Sequence, residues 1–203
     1  MVDRQLGEII KLLKRLKLDE KTIFFLSGDN GGKAYFATKD RPHGFFAPNL
    51  NPETGKRFRA GKGYLYEGGL KIPYLVRWSG KIKRGSVSDH LFYHPDVMPT
   101  LAELTNAECP KTDGISFLPT LLSTGKQANH SHMYWELGRQ RALRKGDWKA
   151  YRDKKGNWEL YDLSTDIEEQ MDLADKEGNI LQDLIALAES SHQPARLGGI
   201  LNQ

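Results

Sequence analysis

The chain has one cysteine, Cys109, among 203 residues. A single thiol excludes an intrachain disulfide, and with Pro110 after it and no clear base nearby in sequence, Cys109 is expected to be a buried or inert thiol. No stretch approaches the ~20 apolar residues of a membrane span. Neither sign of charge dominates: 30 Lys and Arg face 26 Asp and Glu, a net charge of +4. The charges are mixed rather than blocked, and a nucleic-acid partner would call for a basic stripe, so none is expected. A modest positive balance suits anionic small molecules. No Walker loop is present, because Gly55-Lys56 and Gly61-Lys62 lack the further upstream glycine and the Ser or Thr after lysine. No basic-then-apolar leader is visible; the first residues read as an amphipathic helix.

What is there fits a globular protein: 38% hydrophobic and 28% charged residues, in a chain long enough to bury roughly 70% of its unfolded surface. Residues 2–17 carry apolar side chains at helical spacing (Val2, Leu6, Ile9, Leu13, Leu16). Residues 22–27 are a short apolar run, which predicts a strand covered on both faces. A helix followed by such a strand is half of an α/β unit. Residues 28–63, rich in Gly, Pro, Asn, Lys and Arg, predict a long loop. Residues 70–78 predict a second strand with Pro73 near its start, and 95–107 a helix with Pro95 in its first turn.

Composition changes near residue 133. Short strands are predicted over 133–136, 142–144, 148–151 and 158–161, separated by the turn signals Lys145-Gly146-Asp147 and Asp153 to Asn157. An amphipathic helix over 177–190 follows. The prediction is a small antiparallel sheet with one covering helix, beginning after the polar 125–131 stretch. Two domains are therefore expected, 1–130 and 131–203.

Three places could carry chemistry. Asp29-Asn30 follows the 22–27 strand and supplies a carboxylate and an amide oxygen, donors that suit a hard cation. Ligands collect at strand ends in α/β sheets. Asp-Asn-Gly-Gly is also a plain turn sequence. Lys62 lies between Gly61 and Gly63, so backbone can approach a ligand and the ammonium acts as a point charge; it reads equally as a solvated loop lysine. Glu67, before Gly68-Gly69, could orient Lys62 or be exposed. Lys56, Arg57, Arg59 and Lys62 form a local basic cluster. His43, His90, His130, His132 and His192 show no metal spacing, although His130-Ser131-His132 could chelate. Asp96, in Tyr93-His94-Pro95-Asp96, reads as a charge favoured at a helix N-terminus.

Five segments occur together and in order: Gly28-Asp29-Asn30-Gly31-Gly32; Gly61-Lys62-Gly63 with Tyr66-Glu67-Gly68-Gly69; Pro73-Tyr74-Leu75-Val76-Arg77-Trp78-Ser79-Gly80; Ser88-Asp89-His90 with Asp96-Val97-Met98-Pro99-Thr100-Leu101; and Arg141-Ala142-Leu143-Arg144 leading to Trp158-Glu159-Leu160-Tyr161-Asp162-Leu163. In this arrangement the chain resembles the C-terminal part of a type I, arylsulfatase-like sulfatase of the alkaline phosphatase superfamily. The resemblance implies an α/β fold, a partial alkaline-phosphatase-like sandwich followed by a small α+β subdomain with an antiparallel sheet and a C-terminal helix. It implies that Asp29 and Asn30 are late ligands of a calcium ion and that Lys62 binds the sulfate oxyanion and acts catalytically. It implies a sulfate ester substrate such as a sulfated carbohydrate, hydrolysed by a formylglycine nucleophile, and a periplasmic or secreted location.

The chain departs from the family at the nucleophile. No Cys/Ser-x-Pro/Ala-x-Arg sequence is present, and Cys109-Pro110-Lys111-Thr112-Asp113 does not fit it. The early pair of metal aspartates has no counterpart either. The expectation is a C-terminal fragment, a truncated product or one piece of a split protein, inactive alone and prone to self-association through exposed strand edges. The rival is a non-catalytic sulfatase-like module that binds sulfated glycans through Lys56, Arg57, Arg59 and Lys62. A phosphoesterase or phosphomutase relative would need a set of His and Asp ligands that the sequence does not show. Substrate specificity is expected in the loops around 33–60 and 125–141.

Overall fold

The structure, a computed structural model, describes residues 2–32 and 49–194. His43 and the 33–48 part of the expected specificity loop lie outside the described residues. Contacts divide the chain into two compact units, Met1–Ser27 with Tyr74–His130 and Gly28–Pro73 with Ser131–Gln203. No described helix is long and apolar enough to cross a membrane.

In the first unit, α1 (Val2–Arg15) follows the predicted spacing, with Asp3 in its first turn and Lys14 and Arg15 in its last. Those charges complement the helix dipole. Strand β1 (Ile23–Ser27) pairs antiparallel with β2 (Tyr74–Trp78), Ile23 opposite Trp78 and Ser27 opposite Tyr74. Among the described residues β1 is half-buried rather than covered on both faces. The predicted 70–78 strand begins only after Pro73, which has no N–H for a ladder. Next to this pair, Phe25, Tyr74, Phe92 and Phe117 pack as an aromatic cluster, with Tyr74–Phe92 and Phe92–Phe117 centroids 4.6 and 4.8 Å apart.

Helix α3 (Val97–Thr105) starts from a tight turn at His94–Asp96. Asp96 does more there than complement a dipole. Fully buried, its carboxylate accepts the Tyr93 amide at 3.0 Å, the Ile115 amide at 2.7 Å and His130 Nε2 at 2.9 Å. Thr100 extends this junction: its hydroxyl donates to the Asp96 carbonyl at 2.6 Å and accepts the Phe117 amide at 3.0 Å. A short helix, α4 (Leu118–Leu122), follows.

In the second unit a one-turn helix, α2 (Glu67–Leu70), interrupts what the sequence predicts as turn and strand. Strands β3 (Met133–Leu137), β4 (Gln140–Lys145), β5 (Trp148–Arg152) and β6 (Trp158–Asp162) form an antiparallel sheet in sequential order. Two-residue turns close the first two hairpins, with Gly138 at φ 59° and Gly146 at φ 61°. Glycine adopts such left-handed angles without steric cost. Because side chains alternate across a strand, Leu143, Ala150 and Leu160 face Leu181, Leu184 and Ala188 of α5 (Gly178–Ser191), while Ala142, Tyr151 and Tyr161 pack with Leu65 and Tyr66 on the other face. Each buried leucine contributes about 1.5–3 kcal/mol. The helix and sheet expected here are thus present, and the sheet is covered on both faces.

Two junctions hold the loops of this unit. At the first, backbone meets backbone. A Cβ on Gly31 would lie 1.8 Å from the Gly68 carbonyl oxygen, one on Gly68 would lie 2.2 Å from that of Arg59, and one on Gly69 2.0 Å from that of Tyr64. The Gly31 amide donates to the Gly69 carbonyl at 2.9 Å and the Gly68 amide to Arg59 at 3.0 Å. Gly68→Ala therefore forces the segments apart. We expect a loss of about 1–3 kcal/mol or more, read as a lowered midpoint in chemical denaturation with the signal of the β3–β6 sheet.

At the second junction Lys149, fully buried on β5, reaches Glu67 and Glu169, each at 2.8 Å. The Glu67 amide donates to Glu169 Oε2 at 2.6 Å. Burial alone would push the Glu67 carboxyl up, but the charge and hydrogen bond of Lys149 hold it below its ordinary value. Burial pushes Glu169 up; the charge of Lys149 works against that, and Glu67 adds to it. A carboxyl raised above its ordinary 4.5 costs folded-state stability as pH rises through that window. Glu169→Gln removes this cost. The difference in unfolding free energy between variant and parent should therefore grow in the variant's favour as pH rises from 4 towards 7 in urea titrations. A pH-independent difference would contradict the assignment.

Candidate functional site

The candidate site lies in the second unit, where the chain leaves β1 as Gly28-Asp29-Asn30-Gly31-Gly32. Asp29 is exposed and Asn30 half-buried. The Asn30 amide nitrogen donates to the Gly31 carbonyl at 3.0 Å. That bond fixes the side chain and leaves its oxygen Oδ1 without a donor among the described residues, and no described cation pairs with the Asp29 carboxylate. Two oxygen donors on adjacent residues remain available, the chemistry a hard cation requires. Among the described residues no group of three His, Cys, Asp or Glu side chains is arranged to hold a metal, so Asp29 and Asn30 would form part of a ligand set.

Lys62 comes to this segment through its backbone. Its amide donates to the Gly32 carbonyl at 3.1 Å. A tight turn, in which the Tyr64 amide donates to the Gly61 carbonyl at 3.1 Å, carries the lysine. Gly63 adopts φ 92°, and Gln140 Nε2 at the start of β4 donates to the Gly63 carbonyl at 3.1 Å. The left-handed angle at Gly63 is thus a requirement of the fold. The Lys62 side chain is exposed and has no carboxylate partner among the described residues. Glu67, read from the sequence as a possible partner that orients Lys62 or as an exposed side chain, is neither. It is buried and paired with Lys149.

The basic cluster of the sequence divides in the structure. Arg59 stacks on the Tyr66 ring at 4.2 Å, donates to the Tyr161 hydroxyl and to the Glu169 carbonyl at 3.0 Å, and lies 3.4 Å from the Glu159 carboxylate. It is a packing residue and not a free cation. Tyr66 in turn donates to Glu159 at 2.7 Å; burial, then that hydrogen bond, push its hydroxyl far above the ordinary value. Lys56, Arg57 and Lys62 remain exposed.

Four of the described histidines have side-chain partners. His130 binds Asp96, His132 Nε2 lies 2.9 Å from the Ser191 hydroxyl, and His192 Nδ1 lies 2.8 Å from Glu136. His94 Nε2 lies 3.4 Å from the Ser27 hydroxyl. Chelation by His130 and His132 would compete with these partners. Cys109 is exposed.

The sequence reading missed the Glu67–Lys149–Glu169 cluster. A signal was available: Lys149 and Tyr151 share one face of β5, and Tyr151 is core, so alternation alone points Lys149 inward.

Comparison with known proteins identifies the family. A family model described as Sulfatase matches residues 1–107, and one described as N-sulphoglucosamine sulphohydrolase, C-terminal, matches residues 57–187. An uncharacterised sulfatase of Schizosaccharomyces pombe is 30% identical over 91% of the chain. An N-acetylgalactosamine-6-O-sulfatase of Bacteroides thetaiotaomicron is 29% identical over 93% of it. The chain spans 40% of the length of each of these relatives. A solved sulfatase structure, from work on glycosaminoglycan metabolism by Bacteroides thetaiotaomicron, superposes with a TM-score of 0.75 at 26% identity, covering 93% of this chain and 42% of that one. Two family models that together run from residue 1 into α5, in a fold shared with solved sulfatases, make the assignment: the chain belongs to the sulfatase family.

Proposed function

We propose that this chain supplies the late part of a sulfate-ester hydrolase site: two oxygen ligands for calcium, Asp29 and Asn30, and the lysine that holds the sulfate, Lys62. The observation that carries the reading is the Gly32–Lys62 backbone hydrogen bond of 3.1 Å, which ties the segment of the oxygen donors and the turn that bears the lysine to one glycine-packed junction. Calcium, when bound, neutralises charge on the sulfuryl group. The Asp29 carboxylate and Asn30 Oδ1 would hold it. The Lys62 ammonium donates to a non-bridging sulfate oxygen and strengthens that bond as charge builds in the transition state. The nucleophile, a formylglycine, belongs to a sequence these 203 residues do not contain. The chain alone therefore does not turn over substrate.

In this reading residues 1–130 form the C-terminal portion of the catalytic domain and 131–203 the small subdomain. The substrate is a sulfated carbohydrate, in keeping with the name of the Bacteroides relative, and the location is periplasmic or secreted. The catalytic reading is favoured over a glycan-binding module built on the basic cluster because Arg59, one of the four residues such a module needs, is engaged by Tyr161, Glu159 and Tyr66. In a full-length sulfatase that carries this segment, Lys62→Ala should lower kcat/KM by about 100-fold or more. An unchanged rate removes Lys62 from the site.

A further inference from the structure

At one end of the four-stranded sheet the β3–β4 turn and the β5–β6 turn converge on a cavity of about 270 Å³. Sites that enclose a drug-sized ligand run to ~300–1,000 Å³, so this one has room for a substituent rather than a whole ligand. Its lining is basic: Arg139, Arg141, Arg152, Lys154 and Lys155 against Glu136 alone. Two of these are already spent. Arg141 makes two 2.8 Å contacts to the Glu189 carboxylate, and Glu136 is held by the Tyr134 hydroxyl at 2.7 Å and His192 at 2.8 Å.

Four cations remain, Arg139, Arg152, Lys154 and Lys155, none with a carboxylate partner among the described residues. The one acid in the turn, Asp153, is taken up by the turn's own donors. Its carboxylate accepts the Lys155 and Asn157 amides at 2.8 Å each and the Asn157 side chain at 3.0 Å. A solvated basic turn ordinarily spreads its charges; here two turns gather four around one concavity, and like charges so placed repel. A guanidinium fork, such as Arg139 and Arg152 each bring to the lining, matches a planar carboxylate or a face of a sulfate.

The cavity also borders the loop of the candidate site. Lys154 Nζ lies 5.5 Å from the Tyr64 ring centroid, and Gln140, next to Arg139, holds the Gly63 carbonyl. Tyr64 and Gly63 are the residues that follow Lys62. All belong to the same compact unit.

We propose that these two hairpin turns form a subsite for a second anionic substituent, sulfate or carboxylate, on an oligosaccharide whose scissile sulfate is held at Lys62. The proposal rests on the assignment of Lys62 made above. It names the substrate class as oligosaccharides that carry more than one anionic group.

The test is calorimetric binding to the full 203-residue chain of three disaccharides: one with a single sulfate, one with two sulfates, and one with a sulfate and a uronic carboxylate. A second anion should tighten binding by about tenfold, equivalent to ~1.4 kcal/mol. The gain should disappear in an Arg152→Gln, Lys155→Gln double variant whose circular dichroism matches the parent. Whichever of the two doubly charged ligands shows the gain identifies the group the pocket takes. Equal binding of all three ligands, or a gain that survives in the double variant, overturns the subsite. Lys62→Ala should weaken all three ligands alike and keep the gain. Parent-like binding by Lys62→Ala would overturn the Lys62 assignment while leaving the pocket's contribution measured separately.

Discussion

Close contact between backbones at Gly31, Gly68 and Gly69 is the constraint on which the second unit depends. Side chains at these positions would occupy the same space as carbonyl oxygens of Gly68, Arg59 and Tyr64. The Gly31 segment and the 59–69 segment can meet only because no Cβ stands between them. The turn bearing Lys62 and the strand end bearing Asp29 and Asn30 are brought into register by that contact and by the Gly32–Lys62 hydrogen bond. The glycines flanking the candidate residues are thus part of the fold before they are part of any chemistry.

The buried ion cluster does for α2 what the glycines do for the loops. Lys149 is fixed on a sheet strand, and through Glu67 and Glu169 it ties α2 and the segment after β6 to the sheet. A buried ammonium left alone would be costly, and two carboxylates left without it costlier still: breaking such an arrangement typically costs about 3–5 kcal/mol. Burial, with the neighbouring Glu67 charge added to it, pushes the Glu169 carboxyl up against the pull of Lys149, while the Lys149 charge and hydrogen bond outweigh burial at Glu67. Arg59, half-buried between Tyr66, Tyr161 and Glu159, supplies a cation next to this cluster.

Much of the local structure was legible in the sequence because it depends on local rules. Helical spacing located α1 and α5, alternation with Gly-containing turns located β4 to β6, and ordered motifs located the family. Long-range pairing was not legible. Nothing near Asp96 in sequence announces that its carboxylate binds His130 and the Ile115 amide, and nothing near Arg59 announces Tyr161. The 70–78 strand begins later than the sequence suggests because Leu70, apolar enough to open a strand, closes the one-turn helix α2 instead, and Pro73 cannot donate to a ladder. Asp29, Asn30 and Lys62 could be singled out by residue type and neighbours; that one backbone hydrogen bond joins their segments could not.

The account places a calcium ion on the strand end, with Lys62 acting on the sulfate and not on the metal. Its most direct test is the metal content of a full-length sulfatase that carries this segment, measured by inductively coupled plasma mass spectrometry in the parent, in an Asp29→Ala, Asn30→Ala double variant and in Lys62→Ala. The account predicts that the double variant loses the calcium of the site while Lys62→Ala keeps it. Undiminished calcium in the double variant would contradict it and reduce the Asp29-Asn30 segment to a turn.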